Sequence, residues 1–138
     1  MAAMGKKYPM FLLPLAREGQ GVEMHLLQWT FPHADAATVL FTSLAEYKLR
    51  GEFASPHTTL THHTELAGEK GVVLVQGAVV GEGVTVSEAG ILVLGLQRFY
   101  GALEDAGAER RRGLVEMFGR GDEGFNVQEL IEEAEKIV

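Results

Sequence analysis

The sequence contains no cysteine, four prolines and a single tryptophan. Without cysteine there is neither a disulfide framework nor a thiolate metal site, and the chain fits a reducing compartment. Positive charge is scarce: 12 Lys and Arg stand against 19 Asp and Glu, a formal net charge of −7. A phosphate-binding face needs the opposite balance, so nucleic acid is not expected as a partner. No apolar run approaches the ~20 residues of a membrane-spanning helix. The longest candidate, Ala89 to Leu96, is about half that length, so no membrane partner is expected either. The opening residues, MAAMGKK, have neither the apolar stretch of a secretory signal nor the Arg- and Ser-rich pattern of a transit peptide. No serine sits in a nucleophile elbow, and no glycine-rich loop has phosphate-binding spacing.

What remains is an ordinary folding composition. The 138 residues are 46% hydrophobic, enough for one domain that buries roughly two-thirds of its unfolded surface. The whole chain, 1–138, is read as that domain, with residues 1–7 expected to be disordered or extraneous to it. Tyr8 to Arg17 is apolar and bracketed by Pro9 and Pro14, which places a strand at a sheet edge. A Gly-rich turn leads to a second strand, Val22 to Phe31, and the pair reads as a hairpin. Thr38 to Thr42 is a short third strand. Ser43, with Glu46 three residues on, is a capping box for a helix that ends at Gly51. His57 to His63 is a Thr-rich strand. Val72 to Val80 is a continuous apolar strand, expected to be buried on both faces. Ser87 is expected to cap a helix over Glu88 to Tyr100. The apolar residues of that helix nearly encircle its axis, so it is expected to be the buried spine, with Leu94 at its centre. Ala108 to Phe118 forms another helix. Asn126 with Glu129 caps a terminal helix with Val127, Leu130, Ile131, Ala134 and Val138 at helical spacing. Hairpins without regular βα alternation predict an α+β domain, a mainly antiparallel sheet of about five or six strands with packed helices.

Four constellations carry possible chemistry. On one strand His57 and His63 share a face and His62 takes the other, so at most two of them reach one metal, with Glu65 as a possible third ligand. Imidazoles on a half-exposed strand, bonded locally, are the simpler reading, and no metal is expected. Glu132, Glu133 and Glu135 are placed on the solvent side of the last helix. Arg120-Gly121-Asp122 spells an adhesion tripeptide, but Gly and Asp there equally make a turn. Arg110, Arg111 and Arg112 crowd the start of a helix against its dipole, at a few tenths of a kcal/mol each. Glu104, Asp105 and Glu109 can offset them; the alternative is a basic patch for an acidic partner.

The surface signals gather elsewhere. Trp29 is at a strand end, where its ring is expected to stay partly open. Arg50 and Glu52 flank Gly51, whose backbone freedom lets both side chains project, and Phe53 follows. An aromatic beside opposite charges is the composition of an interface anchor with a polar rim. His62 is expected to face the partner, with His57 and His63 toward the core. Trp29, Arg50, Glu52, Phe53 and His62 are therefore the candidate partner-binding residues.

Five stretches resemble a known family and follow its order: YPMFLLPLAR (8–17), LQWTF (27–31), FTSLAEYKLRGEFASPHTTLTHHTELAGEKGVVLVQG (41–77), VSEAGILVLGLQRFY (86–100) and RGLVEMFGRGDEGFNVQELIEEAE (112–135). The most specific pieces are the Arg50-Gly51-Glu52 turn and the segment from Thr64-Glu65-Leu66 to Glu69-Lys70-Gly71. The proline and aromatic that the family usually carries near His63 and Thr64 are absent. The chain resembles the assembly chaperones of the mitochondrial ATP synthase catalytic sector, which protect the free β subunit. The resemblance implies a non-enzymatic chaperone in the mitochondrial matrix. It would bind the unassembled β subunit until α subunits replace it, use no cofactor and be monomeric when free. The competing reading is a small metal-dependent enzyme built on His57, His62 and His63.

Overall fold

The computed structural model describes residues 2–17, 19, 21–65, 74–81, 83–101 and 107–135. A short helix, α1 (Ala2–Lys7), precedes strands β1 (Met10–Arg17), β2 (Gly21–His33) and β3 (Ala36–Ser43). Helix α2 (Leu44–Arg50) and a 3-10 turn (Gly51–Phe53) lead to β4 (Thr58–His63) and β5 (Leu74–Val79). Three helices complete the chain: α3 (Val86–Tyr100), α4 (Ala108–Arg120) and α5 (Val127–Glu135). The strands form one antiparallel sheet in the order β1-β2-β3-β4-β5. The α+β architecture expected from the hairpin signals is the one observed.

Register explains which side chains share a face. Phe11 pairs with Leu27 and Leu27 with Phe41, while Leu13 pairs with His25 and Trp29 with Val39. Ala37 pairs with His62, and Val39 with Leu60. These residues are all buried and line one face of the sheet. Helices α3, α4 and α5 pack on β1, and aromatic residues of α3, α4 and the α4–α5 connection converge on Phe11. Its ring lies 5.1 Å from Phe99, 5.7 Å from Phe118 and 6.4 Å from Phe125. Gly95 lets α3 come close to the sheet, since a Cβ there would sit 3.2 Å from Leu13 Cδ1. Tyr100 donates its hydroxyl proton to the Tyr8 carbonyl at 2.7 Å, which ties α3 to the entry of β1. Burial raises the Tyr100 pKa, so the phenol stays a donor.

Several local expectations are corrected. Residues 2–7 are helical, and Gly5 packs directly against the Trp29 ring. Helix α3 is capped by Thr85 two residues before the expected Ser87. Thr85 Oγ1 accepts from the Glu88 amide, and the Glu88 carboxylate accepts from the Thr85 amide. That carboxylate also pairs with Arg17 at 3.1 Å, and Arg17 donates to the Gly83 carbonyl at 2.7 Å, so the hairpin anchors the helix start. Only one side of α3 is buried, through Ala89, Leu92, Gly95, Leu96, Phe99 and Tyr100. Leu94 is 50% exposed: the helix lies on the sheet like a rod on a table, and the table covers half of it. Strand β5, expected to be buried on both faces, is an edge strand with Val75, Gln76, Gly77 and Ala78 exposed. Val72 and Val73 lie outside the described residues.

On the polar side, Glu133 is buried and not on the solvent side of α5; its carboxylate lies 3.8 Å from Arg110. Arg111 is also buried and donates from Nε to the Arg98 carbonyl at 3.2 Å. Arg110 and Arg111 therefore join α4 to α5 and α3 and do not form an open basic patch. Glu104 and Asp105 lie outside the described residues. Gly121 takes the left-handed conformation (φ 67°) that ends α4, and Asp122 accepts from the Gly124 amide at 2.7 Å and pairs with Arg120 at 3.4 Å. The adhesion-like tripeptide is thus a helix cap.

Candidate partner-binding surface

The most exposed large apolar side chains of the α2 corner are Phe53, 81% exposed, and Leu49, 76% exposed. Local chemistry holds the corner in place. Ser43 Oγ accepts from the Glu46 amide at 3.2 Å and starts the helix. Leu44 and Tyr47 turn inward against the core, which by helical spacing leaves Leu49 and Arg50 outward. Arg50 pairs with Glu46 one turn back at 2.7 Å. The chain then reverses at Gly51, with φ 58° and its amide bonded to the Tyr47 carbonyl. A β-branched residue would strain that conformation. Glu52 and Phe53 follow in the 3-10 turn, both exposed. Arg50 and Glu52 project as expected, but Arg50 is paired to Glu46.

Trp29 and His62 are placed differently from expectation. Trp29 is 4% exposed, enclosed by Gly5 of α1 and tilted against Tyr100 at 5.6 Å. His62 is buried and stacks on the Trp29 ring at 5.5 Å. The register accounts for this: His62 pairs with Ala37 on the sheet's inner face, where α1 closes over Trp29. Burial holds the His62 pKa below its ordinary value. Leu49 was not singled out by sequence reasoning. The available signal was its position: it falls two residues after the inward Tyr47 in a short helix, on the side away from the core.

The three histidines of the competing metal reading go to three places. His62 lies under Trp29 and His63 sits 3.8 Å from Glu65. His57, which precedes β4, meets His25 of β2, with Nε2 at 2.9 Å from His25 Nδ1. Among the described residues no three His, Asp or Glu side chains are grouped to hold a metal ion. The His25–His57 pair belongs to a polar series: Glu23 Oε1 at 2.7 Å from His25 Nε2, then His57, then Thr58 Oγ1 at 2.7 Å from His57 Nδ1. It borders a cleft of about 250 Å³ with Arg17, Ser43 and Ser55. A carboxylate, two imidazoles and a hydroxyl in series have the form of a proton relay. The terminal Thr58 is buried, so the series ends in the protein and joins β2 to the start of β4. Burial lowers the pKa of His57 to about 4, with the neighbouring His25 acting in the same direction. Burial also lowers that of His25, against the pull of Glu23.

A second exposed apolar area runs along the outer side of α3, where Val86, Ile91 and Leu94 are open. Beside it a shallow cleft of about 320 Å³ is lined by Pro14, Val22, Ile91, Ile131 and Ala134. The all-round apolar pattern of α3 reflects two surfaces, one in the core and one facing outward.

Comparison with known proteins places the chain in a family. The family model described as "ATP11 protein" matches residues 1–131. The chain is 38% identical over 122 residues to "Protein atp11, mitochondrial" of Schizosaccharomyces pombe, covering 88% of this chain and 43% of that protein. It is 32% identical over 128 residues to "ATP synthase mitochondrial F1 complex assembly factor 1" of Homo sapiens, covering 93% of this chain and 36% of that one. For the Danio rerio protein of the same name the identity is 33% over 131 residues, covering 95% and 40%. The chain spans about two-fifths of the length of these relatives. With nearly its whole length matched, from the α1 helix into α5, the chain belongs to the ATP11 family.

Proposed function

We propose that the chain is a mitochondrial assembly chaperone for the F1 sector of ATP synthase, which holds the unassembled β subunit until α subunits replace it. The observation that carries this reading is the match to relatives named as F1 assembly factors across 93% of the chain. The surface physics supports it. A subunit awaiting assembly exposes an interface that is large and apolar, and such surfaces aggregate when left open. A chaperone must cover part of it and still be displaced, which calls for a modest contact of exposed apolar anchors within a charged rim. Leu49 and Phe53 supply the anchors, and Arg50 and Glu52 the rim. Trp29 and His62 are enclosed, so the proposed surface does not draw on them. The reading needs no nucleotide hydrolysis, and the free chain acts as a monomer without cofactor.

Light scattering of an isolated β subunit, with and without this chain at equimolar ratio and without ATP, tests the function. Suppressed aggregation is expected; unchanged aggregation overturns it. Replacing Arg50 and Glu52 together with Ala tests the surface. The expected outcome is a nearly constant Tm and binding weakened about tenfold or more, about 1.4 kcal/mol. Unchanged binding at several salt concentrations would remove this corner from the interface.

A further inference from the structure

Strand β5 ends the sheet with its outer side unpaired by any described strand. The Val80 amide donates to the His57 carbonyl at 2.8 Å, and bonded and non-bonded pairs alternate along an antiparallel ladder. Gln76 and Ala78 therefore bond to β4, while the N–H and C=O groups of Val75, Gly77 and Val79 point to the open side. Folded proteins blunt such edges with charge, proline or a bulge. Leu74 to Val79 reads LVQGAV, with neither charge nor proline, and its pairing to β4 has no register shift. The opposite edge is blunted. The Trp29 amide donates to the Pro9 carbonyl at 2.7 Å, so the outward set of β1 is Met10, Leu12, Pro14 and Ala16. Pro14 stands where no N–H is needed and blocks a further strand.

We infer that β5 is a strand-addition site, taking an extended segment of the unassembled F1 subunit, with apolar residues at alternate positions, as a sixth strand. The inference rests on the assembly reading above. Backbone groups recognise the extended chain, and side-chain alternation selects the segment. Val75, Gly77 and Val79 share a face with Leu60 and His62 through their pairing. An added strand would lay alternate apolar residues beside the half-exposed Val75 and extend the core across the sheet. The α2 corner is near enough to share one partner: Phe53 precedes His57 by four residues, and His57 bonds to Val80 at the end of β5. A second copy of this chain fits the edge less well. A pair of six-residue strands falls far short of the ~1,600 Å² of a stable interface, and each copy carries a net charge of −7.

Amide hydrogen exchange of the chain, alone and mixed with isolated β subunit, tests the inference. In the free chain the amides of Val75, Gly77 and Val79 should exchange faster than those of Gln76 and Ala78. In the complex all five should be protected. Two variants sharpen the reading. Gly77→Pro gives β5 the block that Pro14 gives β1, and Val75→Lys adds an edge charge without changing the backbone. Each should weaken binding tenfold or more with Tm nearly unchanged. A complex in which the three outward amides still exchange freely, and which Val75→Lys leaves intact, overturns the inference but not the assembly reading. Protection that appears in the chain alone as its concentration rises overturns it in favour of self-pairing. Failure to bind β or α subunits overturns the assembly reading and this inference with it.

Discussion

Strands β1 and β5 close the same sheet at opposite ends, and the molecule treats the two ends differently. At β1, three helices press on the strand and five aromatic rings gather around or include Phe11. Among the described elements, β5 packs chiefly on β4. Burial energy follows the area removed from water, so stability is concentrated at the β1 end. An edge that contributes little to the fold can be altered, or occupied by a partner, at little cost to the rest. The difference between the ends is one of packing: one end holds the helices, and the other is left uncovered by the described helices.

The largest expected effect tests that difference at β1. Phe11→Ala removes the ring at the centre of the aromatic cluster and should cost about 3–5 kcal/mol, the range for a buried phenylalanine. Denaturant melts measure it, and a loss below about 1 kcal/mol would mean that the helices do not depend on β1. An intermediate effect is expected at the join between β2 and β4, where His25 meets His57. The unfolded chain binds a proton at His57 near the ordinary value of 6.5, whereas the folded chain resists until about 4. Unfolding therefore takes up a proton between those values. The contribution of His57 is full above pH 6.5 and lost as pH falls toward 4. Melts across this range should show a shallower slope in His57→Gln than in the parent; equal slopes would place the proton elsewhere, on His25 or His62. The smallest effect belongs to the outer side of α3. Leu94→Ala should cost less than about 1 kcal/mol, because half of the side chain is already in water. Leu96→Ala, two residues on and fully buried, should cost about 2–5 kcal/mol.

The sequence made the local order readable. Ser43, Gly51 and Asn126 announce helix ends because capping is chemistry within a few residues, and the structure uses all three. Pro14 announces an edge because a missing N–H is a local fact. Choices made at a distance were not readable. An apolar run of small residues looks the same in a central strand and in an uncovered edge, so β5 read as buried. An apolar helix does not say how many of its sides meet protein, so Leu94 read as core. A charged residue at a core position reads as surface until its partner is known, which hid Glu133 and Arg111. At the candidate surface, the Gly51 turn placed Arg50, Glu52 and Phe53 outward by local geometry. Trp29 and His62 were misplaced because their enclosure depends on α1, a segment with little helical signal of its own.

The packing of Gly5 on Trp29 has an optical consequence. The chain carries one indole, and it lies between His62, Phe31 and the backbone of α1. All tryptophan emission from this chain therefore originates at the point where α1 meets the sheet. The colour of that emission reports whether the helix is seated, with no label and no second indole in the chain to overlap it. The amino-terminal contact can thus be followed separately from the unfolding of the domain it covers.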